Sequence, residues 1–90
     1  MSFKIIIGEK LKPVMARLKK KDKATFEALE SKIIQISQCD AIAVQHYKNL
    51  EGSMSGLKRV HIGCFVLTFK VEGETVIFED FLHHDEAYGK

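Results

Sequence analysis

Ninety residues contain two cysteines, one proline and no apolar run approaching the roughly 20 residues that a bilayer span requires. Each scarcity excludes something. Cys39 and Cys64 stand alone, with neither a second thiol nor a histidine at ligand spacing, so they read as reduced, small apolar residues rather than a disulfide scaffold or a zinc site. No cofactor motif occurs, and the expectation is of no cofactor and no metal. The opening MSFKIIIGEK lacks the basic-then-apolar layout of a signal peptide, which predicts a cytoplasmic protein without a membrane partner.

What is present suits one soluble domain spanning residues 1–90. The composition is 46% hydrophobic and 29% charged, and a chain this short cannot support two cores. Acidic residues are scarce in the first quarter. Residues 1–23 carry eight Lys/Arg against Glu9 and Asp22, a net +6, which leaves −4 for the remainder. Such a block is either a phosphate-facing surface or a solvated helix exterior with one lysine-rich turn.

Phe3 to Ile7 is a short β-branched and aromatic run, as expected of a strand buried on both faces, and Gly8 ends it. Leu11, Val14, Met15 and Leu18 then recur at helical spacing, with Pro13 tolerated in the first turn. That helix ends near Lys20 or Lys21. Asp22 is placed to cap a second helix, whose stripe of Phe26, Leu29, Ile33 and Ile36 runs to about Gln38. Met15 and this stripe are read as core. Residues 39–47 carry no clear pattern, and His46 and Tyr47 are assigned to structure. EGSMSG, residues 51–56, is a loop.

Three strands are predicted beyond it. Leu57–Ile62 and Phe65–Val71 flank Gly63-Cys64, and a Gly-X pair favours a type II′ turn that sets Ile62 opposite Phe65. Lys58, Val60, Ile62, Phe65, Leu67 and Phe69 then share the face that meets the helices, and Arg59, His61, Val66, Thr68 and Lys70 share the other. The last strand, Thr75 to Leu82, has two possible registers. A three-residue loop at Glu72-Gly73-Glu74 puts Val76, Phe78, Asp80, Leu82 and His84 with Arg59 and His61, whereas a two-residue loop turns them towards the helices. In either case Glu79 and Asp80 are expected on opposite faces. The expected fold is therefore α+β: an N-terminal strand and an antiparallel helical hairpin packed on one face of a small, mostly antiparallel sheet, with the other face open.

The stretch LEGSMSGLKRVHIGCFVLTFKVEG, followed by ETVIF and LHHDEAY, resembles the carboxyl-terminal half of the RelE/ParE superfamily of toxins from type II toxin-antitoxin systems. The family pattern is a Leu-x-Gly loop, a Tyr-Arg-x-Arg-x-Gly strand, an aromatic-Arg-hydrophobic strand and a closing His-Arg-x-x-x-Tyr. Arg59 and His61 fall on the two basic positions of the first strand. His83 falls on the closing histidine, His84 on the arginine that follows it, and Tyr88 on the tyrosine. One position departs: Val66 stands where the family's middle strand carries an arginine, and valine cannot bind phosphate.

The resemblance implies an endoribonuclease that cuts mRNA at the ribosome, with a cognate antitoxin as partner, the chain's hydrophobic edges and grooves wrapped by an extended segment and a helix. Metal-free RNA cleavage needs a base for the 2′-hydroxyl, cations for the phosphorane and an acid for the 5′-oxygen. His84 and His61 suit the proton roles, Tyr88 serves as base or nucleotide contact, and Arg59 grips phosphate with two prongs. Lys48 and Lys70 add charge beside it, and Lys19, Lys20 and Lys21 meet ribosomal RNA backbone. The ParE branch implies a different outcome, inhibition of DNA gyrase by binding. A third reading is a plain interaction module without toxicity.

Overall fold

The computed structural model describes residues 3–45, 47 and 56–84. Its elements are β1 (Lys4–Ile7), α1 (Leu11–Lys21), α2 (Lys23–Ser37), α3 (Ala41–Gln45), β2 (Lys58–Ile62), β3 (Phe65–Glu72) and β4 (Thr75–His83). The four strands form one sheet in the order β1-β4-β3-β2. β1 runs parallel to β4, and the other pairs are antiparallel. The sheet is thus mostly antiparallel, and the helical layer packs on one face of it, as the patterning predicts.

Asp22 alone separates the two long helices. Its carboxylate accepts from the Thr25 amide at 3.2 Å and from the Thr25 hydroxyl at 2.7 Å, so it stops α1 and starts α2. Asp22→Ala is expected to cost about 1 kcal/mol, read as a lower urea midpoint at unchanged m-value. Residues 39–47, left unassigned above, contain α3. Asp40 caps it by accepting from the Ala43 amide at 2.7 Å, and Val44 enters the core fully buried.

The core lies between helices and sheet. Leu11, Leu29, Ile33, Ile36 and Val44 meet Leu67, Phe69, Val76, Phe78 and Phe81, with Val14, Met15 and Leu18 packed against them from α1. Phe26 is only half-buried, because it lies in the first turn of α2, beyond the sheet-facing part of its stripe. β1 also differs from expectation. It is an edge strand, with Ile5 41% and Ile6 50% exposed, because its one neighbour is β4.

Gly8 ends β1 for a reason visible in the backbone. Its amide bonds the Phe78 carbonyl at 2.7 Å, and a Cβ added there would lie 2.9 Å from that same oxygen. Gly8→Ala is expected to destabilise by roughly 1–3 kcal/mol, since the obstacle is backbone and cannot swing aside. Chemical denaturation measures this; an alanine variant as stable as the parent would show that the approach relaxes freely.

Both hairpins turn on Gly-X. Gly63 and Gly73 have φ of +61° and +60°, and no non-glycine residue described has positive φ, the combination a type II′ loop demands. Ile62 pairs with Phe65 as expected.

The second hairpin resolves the register in an unforeseen way. Its loop is the two-residue Gly73-Glu74, with Glu72 opposite Thr75, so Val76 and Phe78 face the helices. The ladder then slips: Phe69 pairs with Phe78 but Thr68 pairs with Asp80, which leaves Glu79 as the extra residue of a β-bulge. Beyond it the alternation reverses. Phe81 enters the core, and Asp80, Leu82 and His84 join the face of Arg59 and His61. Each half of the alternative described above is realised, one on either side of Glu79. The bulge also corrects the placement of the two carboxylates. The extra residue brings Glu79 and Asp80 to the same face, and Glu79 there meets Lys70 at 3.7 Å.

Candidate active site

The face away from the helices is not bare. Val66 is fully buried and Thr68 is 2% exposed, so the sheet centre is covered and the polar groups stand around it. Arg59 lies opposite Thr68, which lies opposite Asp80, and His61 lies opposite Val66, which lies opposite Leu82. These two rows place Arg59 and His61 side by side on β2, two residues apart.

Three predicted site residues come together. Nη1 of half-buried Arg59 lies 3.4 Å from Nδ1 of His61. The His61 and His84 rings stack with centroids 5.5 Å apart and planes inclined by 26°. The His84 amide donates to the Cys64 carbonyl at 2.9 Å, which extends the β3–β4 ladder by one step and holds the last ring in place. Sequence reading missed this anchor. The signal was present, since a two-residue turn at Gly63-Cys64 leaves the Cys64 carbonyl at the mouth of the ladder. Cys64 itself is exposed at the hairpin tip, not a packed apolar residue, while Cys39 is half-buried.

The two adjacent histidines part company. His83 turns to the helix side, where its ring meets the edge of Phe65 at 5.7 Å and lines a groove with Arg17 and Lys21 of α1. Strand alternation alone accounts for the separation.

The remaining cations are distributed differently. The Lys70 ammonium sits 3.6 Å from Glu72 and 3.7 Å from Glu79, so much of its charge is already matched. Lys19, Lys20 and Lys21 form the exposed last turn of α1, where they complement the helix dipole, and the helical layer sets them across the sheet from Arg59. Lys58 is half-buried and donates to the Tyr47 carbonyl at 3.2 Å. Tyr47 packs edge-on against Phe69, consistent with a structural role, and burial raises its phenol pKa, with the Cys39 charge adding to the effect. A raised phenol pKa stabilises the fold fully below the unfolded value near 10. That contribution is lost as pH rises above it. Tyr88, Lys48, His46 and the EGSMS part of the predicted loop lie outside the described residues. Among the described residues, no three His, Cys, Asp or Glu side chains gather as a metal site would require.

A strand, three helices and a three-stranded meander with His61 and His84 on the face away from the helices define a small α+β domain of the RelE-like type. Comparison with known proteins agrees. The chain is 41% identical over 91 residues to a Methanocaldococcus jannaschii protein named "Putative toxin RelE4", covering 98% of this chain and 93% of that one. It is 38% identical over 85 residues to an uncharacterized protein of Methanosarcina mazei, covering 91% of this chain and 94% of that one. The chain belongs to the RelE family of toxins. No protein-family model matches it, and no solved structure matches it significantly.

Proposed function

We propose that the protein is the toxin of a toxin-antitoxin pair and acts as a metal-independent endoribonuclease on mRNA at the ribosome. The observation that carries this reading is the contact chain Arg59–His61–His84, which unites a guanidinium and two imidazoles from β2 and the end of β4. In the reaction the substrate's 2′-oxygen attacks phosphorus and surrenders its proton to a base. The bond from phosphorus to the 5′-oxygen breaks, and that oxygen takes a proton from an acid, leaving a 2′,3′-cyclic phosphate and a 5′-hydroxyl. His84, His61 and Tyr88 are the residues assigned to these proton roles, and Arg59 neutralises the phosphorane. Lys70, shared by two carboxylates, adds less to it than a free ammonium would. Lys48 adds to it, and the exposed Lys19, Lys20 and Lys21 meet ribosomal RNA backbone.

A cognate antitoxin is the partner we assign. Exposed Ile5 and Ile6 on an edge strand, and Ile42 at 73% exposure on α3, are the apolar surface such a partner covers. Co-expression with the product of the neighbouring short reading frame should yield a complex that survives purification. A protein that purifies alone and harmlessly would instead favour a plain interaction module.

The direct test of the nuclease reading is primer extension on translated message after induction. Cuts in codons are expected with the parent protein; an uncut message in arrested cells would overturn the reading. One observation favours a second reading, inhibition of DNA gyrase by binding. Val66, the departure from the family's arginine, is fully buried, so β3 presents no cation at the centre of this face. Supercoiling blocked by purified protein, with message intact, would establish it.

A further inference from the structure

The helix side of the sheet carries a groove that RNA cleavage on the opposite face leaves unused. β1 accompanies β4 only as far as Phe78, where the Gly8 amide bonds the Phe78 carbonyl and the chain turns into α1. Past that point a helix flanks β4. A helix is about 10–12 Å across with its side chains and cannot close up on a strand as another strand does at about 4.8 Å. The gap that remains is about 430 Å³ and runs between Val14, Arg17, Leu18 and Lys21 of α1 and residues 80–83 of β4. That is within the roughly 300–1,000 Å³ of ligand clefts. Phe65 lines this groove and also a second hollow of about 260 Å³, bordered by Ala24 and Ala28 of α2 and by Ile62.

The floor is apolar and the rim cationic. Val14, Leu18 and Phe65 are half-buried along it, whereas Arg17 and Lys21 are exposed. Among the described residues neither of these two cations pairs with a carboxylate, while Lys70 is matched twice. The Asp80 carboxylate accepts instead from the Phe81 amide at 2.9 Å. Residues 17–23 hold five Lys/Arg against Asp22, a net +4. A single-stranded nucleic acid would use an aromatic face for stacking, but the Phe65 ring already stacks on Phe81 with centroids 4.9 Å apart. Apolar floor and unmatched positive rim suit an acidic protein segment.

We propose that this groove seats an acidic, amphipathic segment of the antitoxin, with apolar side chains on either side of Phe65 and carboxylates against Arg17 and Lys21. Such a segment covers Lys21, one of the residues assigned to ribosomal RNA, so the toxin is kept off the ribosome without its Arg59 face being filled. The partner's identity rests on the toxin-antitoxin reading above; the chemistry of the groove does not.

Two variants at exposed helix positions test this seating. Arg17→Glu reverses a rim charge, and Ala28→Glu puts bulk and a like charge into the second hollow, where glutamate still suits a helix. Both should unfold within a degree or two of the parent. Affinity for the neighbouring gene's product, measured by calorimetry on the full chains, should fall at least about tenfold in each, because like charges brought face to face weaken an interface strongly. Unchanged affinity of both variants overturns the groove and leaves the antitoxin reading intact. A synthetic peptide of Glu, Ala and Leu, its leucines at helical spacing, is a second probe that needs no antitoxin. In ¹⁵N–¹H spectra of the whole protein it should move the amides of Leu18, Ala28 and Phe65, and the same peptide with Lys in place of Glu should not. Equal response to the two peptides, shifts confined to β1 and α3, or displacement of the acidic peptide by an RNA oligomer overturns the acidic-segment site. If the neighbouring product fails to bind while the acidic peptide still seats here, the groove stands and the antitoxin reading falls.

Discussion

His84→Ala should slow cutting of translated message by about 10²–10⁴-fold, the loss expected when a general acid or base is removed. The fold should survive. His84 is exposed, its ring stacks on His61, and its ladder bond to Cys64 uses the backbone, which alanine retains. Thermal unfolding of the variant within a degree or two of the parent, together with loss of growth arrest and of primer-extension stops, is the expected pair of results. His84→Gln should be equally inactive, because an amide cannot exchange a proton. A His84→Ala protein that arrests growth as the parent does would remove His84 from the chemistry and leave the binding reading in its place.

Phe69→Ala should be the most damaging change to stability. Phe69 is fully buried on β3, tilted against Phe78 at 5.8 Å and meeting Tyr47 edge-on at 5.5 Å, so truncation removes contacts with β4 and with the segment after α3 together. The expected loss is about 3–5 kcal/mol, and domains of this size hold only about 5–15 kcal/mol in all. The midpoint of thermal unfolding should fall by more than about 10 °C. Ile42→Ala supplies the contrast: at 73% exposure the change should stay within about 0.5 kcal/mol. Equal midpoints for the two variants would mean that the core is not where the burial places it.

Much of the architecture was legible because local rules and tertiary packing agree. Asp22 was readable as a cap since it is the one carboxylate between the two amphipathic stripes, and Thr25 donates to it. Gly63 was readable as a turn because the position needs positive φ, and that turn fixes which residues of β2 and β3 share a face. The family was legible as well, from the order and spacing of motifs that are weak singly. Less legible was β1. An apolar run such as KIII looks the same whether it has one neighbour or two, and strand order depends on contacts with residues seventy positions away. α3 escaped because five residues show too little periodicity, although Asp40 followed by a small apolar run was the cue.

The grouping of the candidate site divides along the same line. Period-two alternation in a strand, anchored by a glycine turn, determined by itself that Arg59 and His61 stand together, because both properties are local to a dozen residues. Whether His84 joined them was settled only by the tertiary structure. The ladder between β3 and β4 admits one unpaired residue at Glu79, so that Phe78 and Phe81 both reach the core, and that single insertion reverses every side chain after it. Burying two phenylalanines on the same side of an odd spacing is a demand of the packed core, and no local pattern announces it.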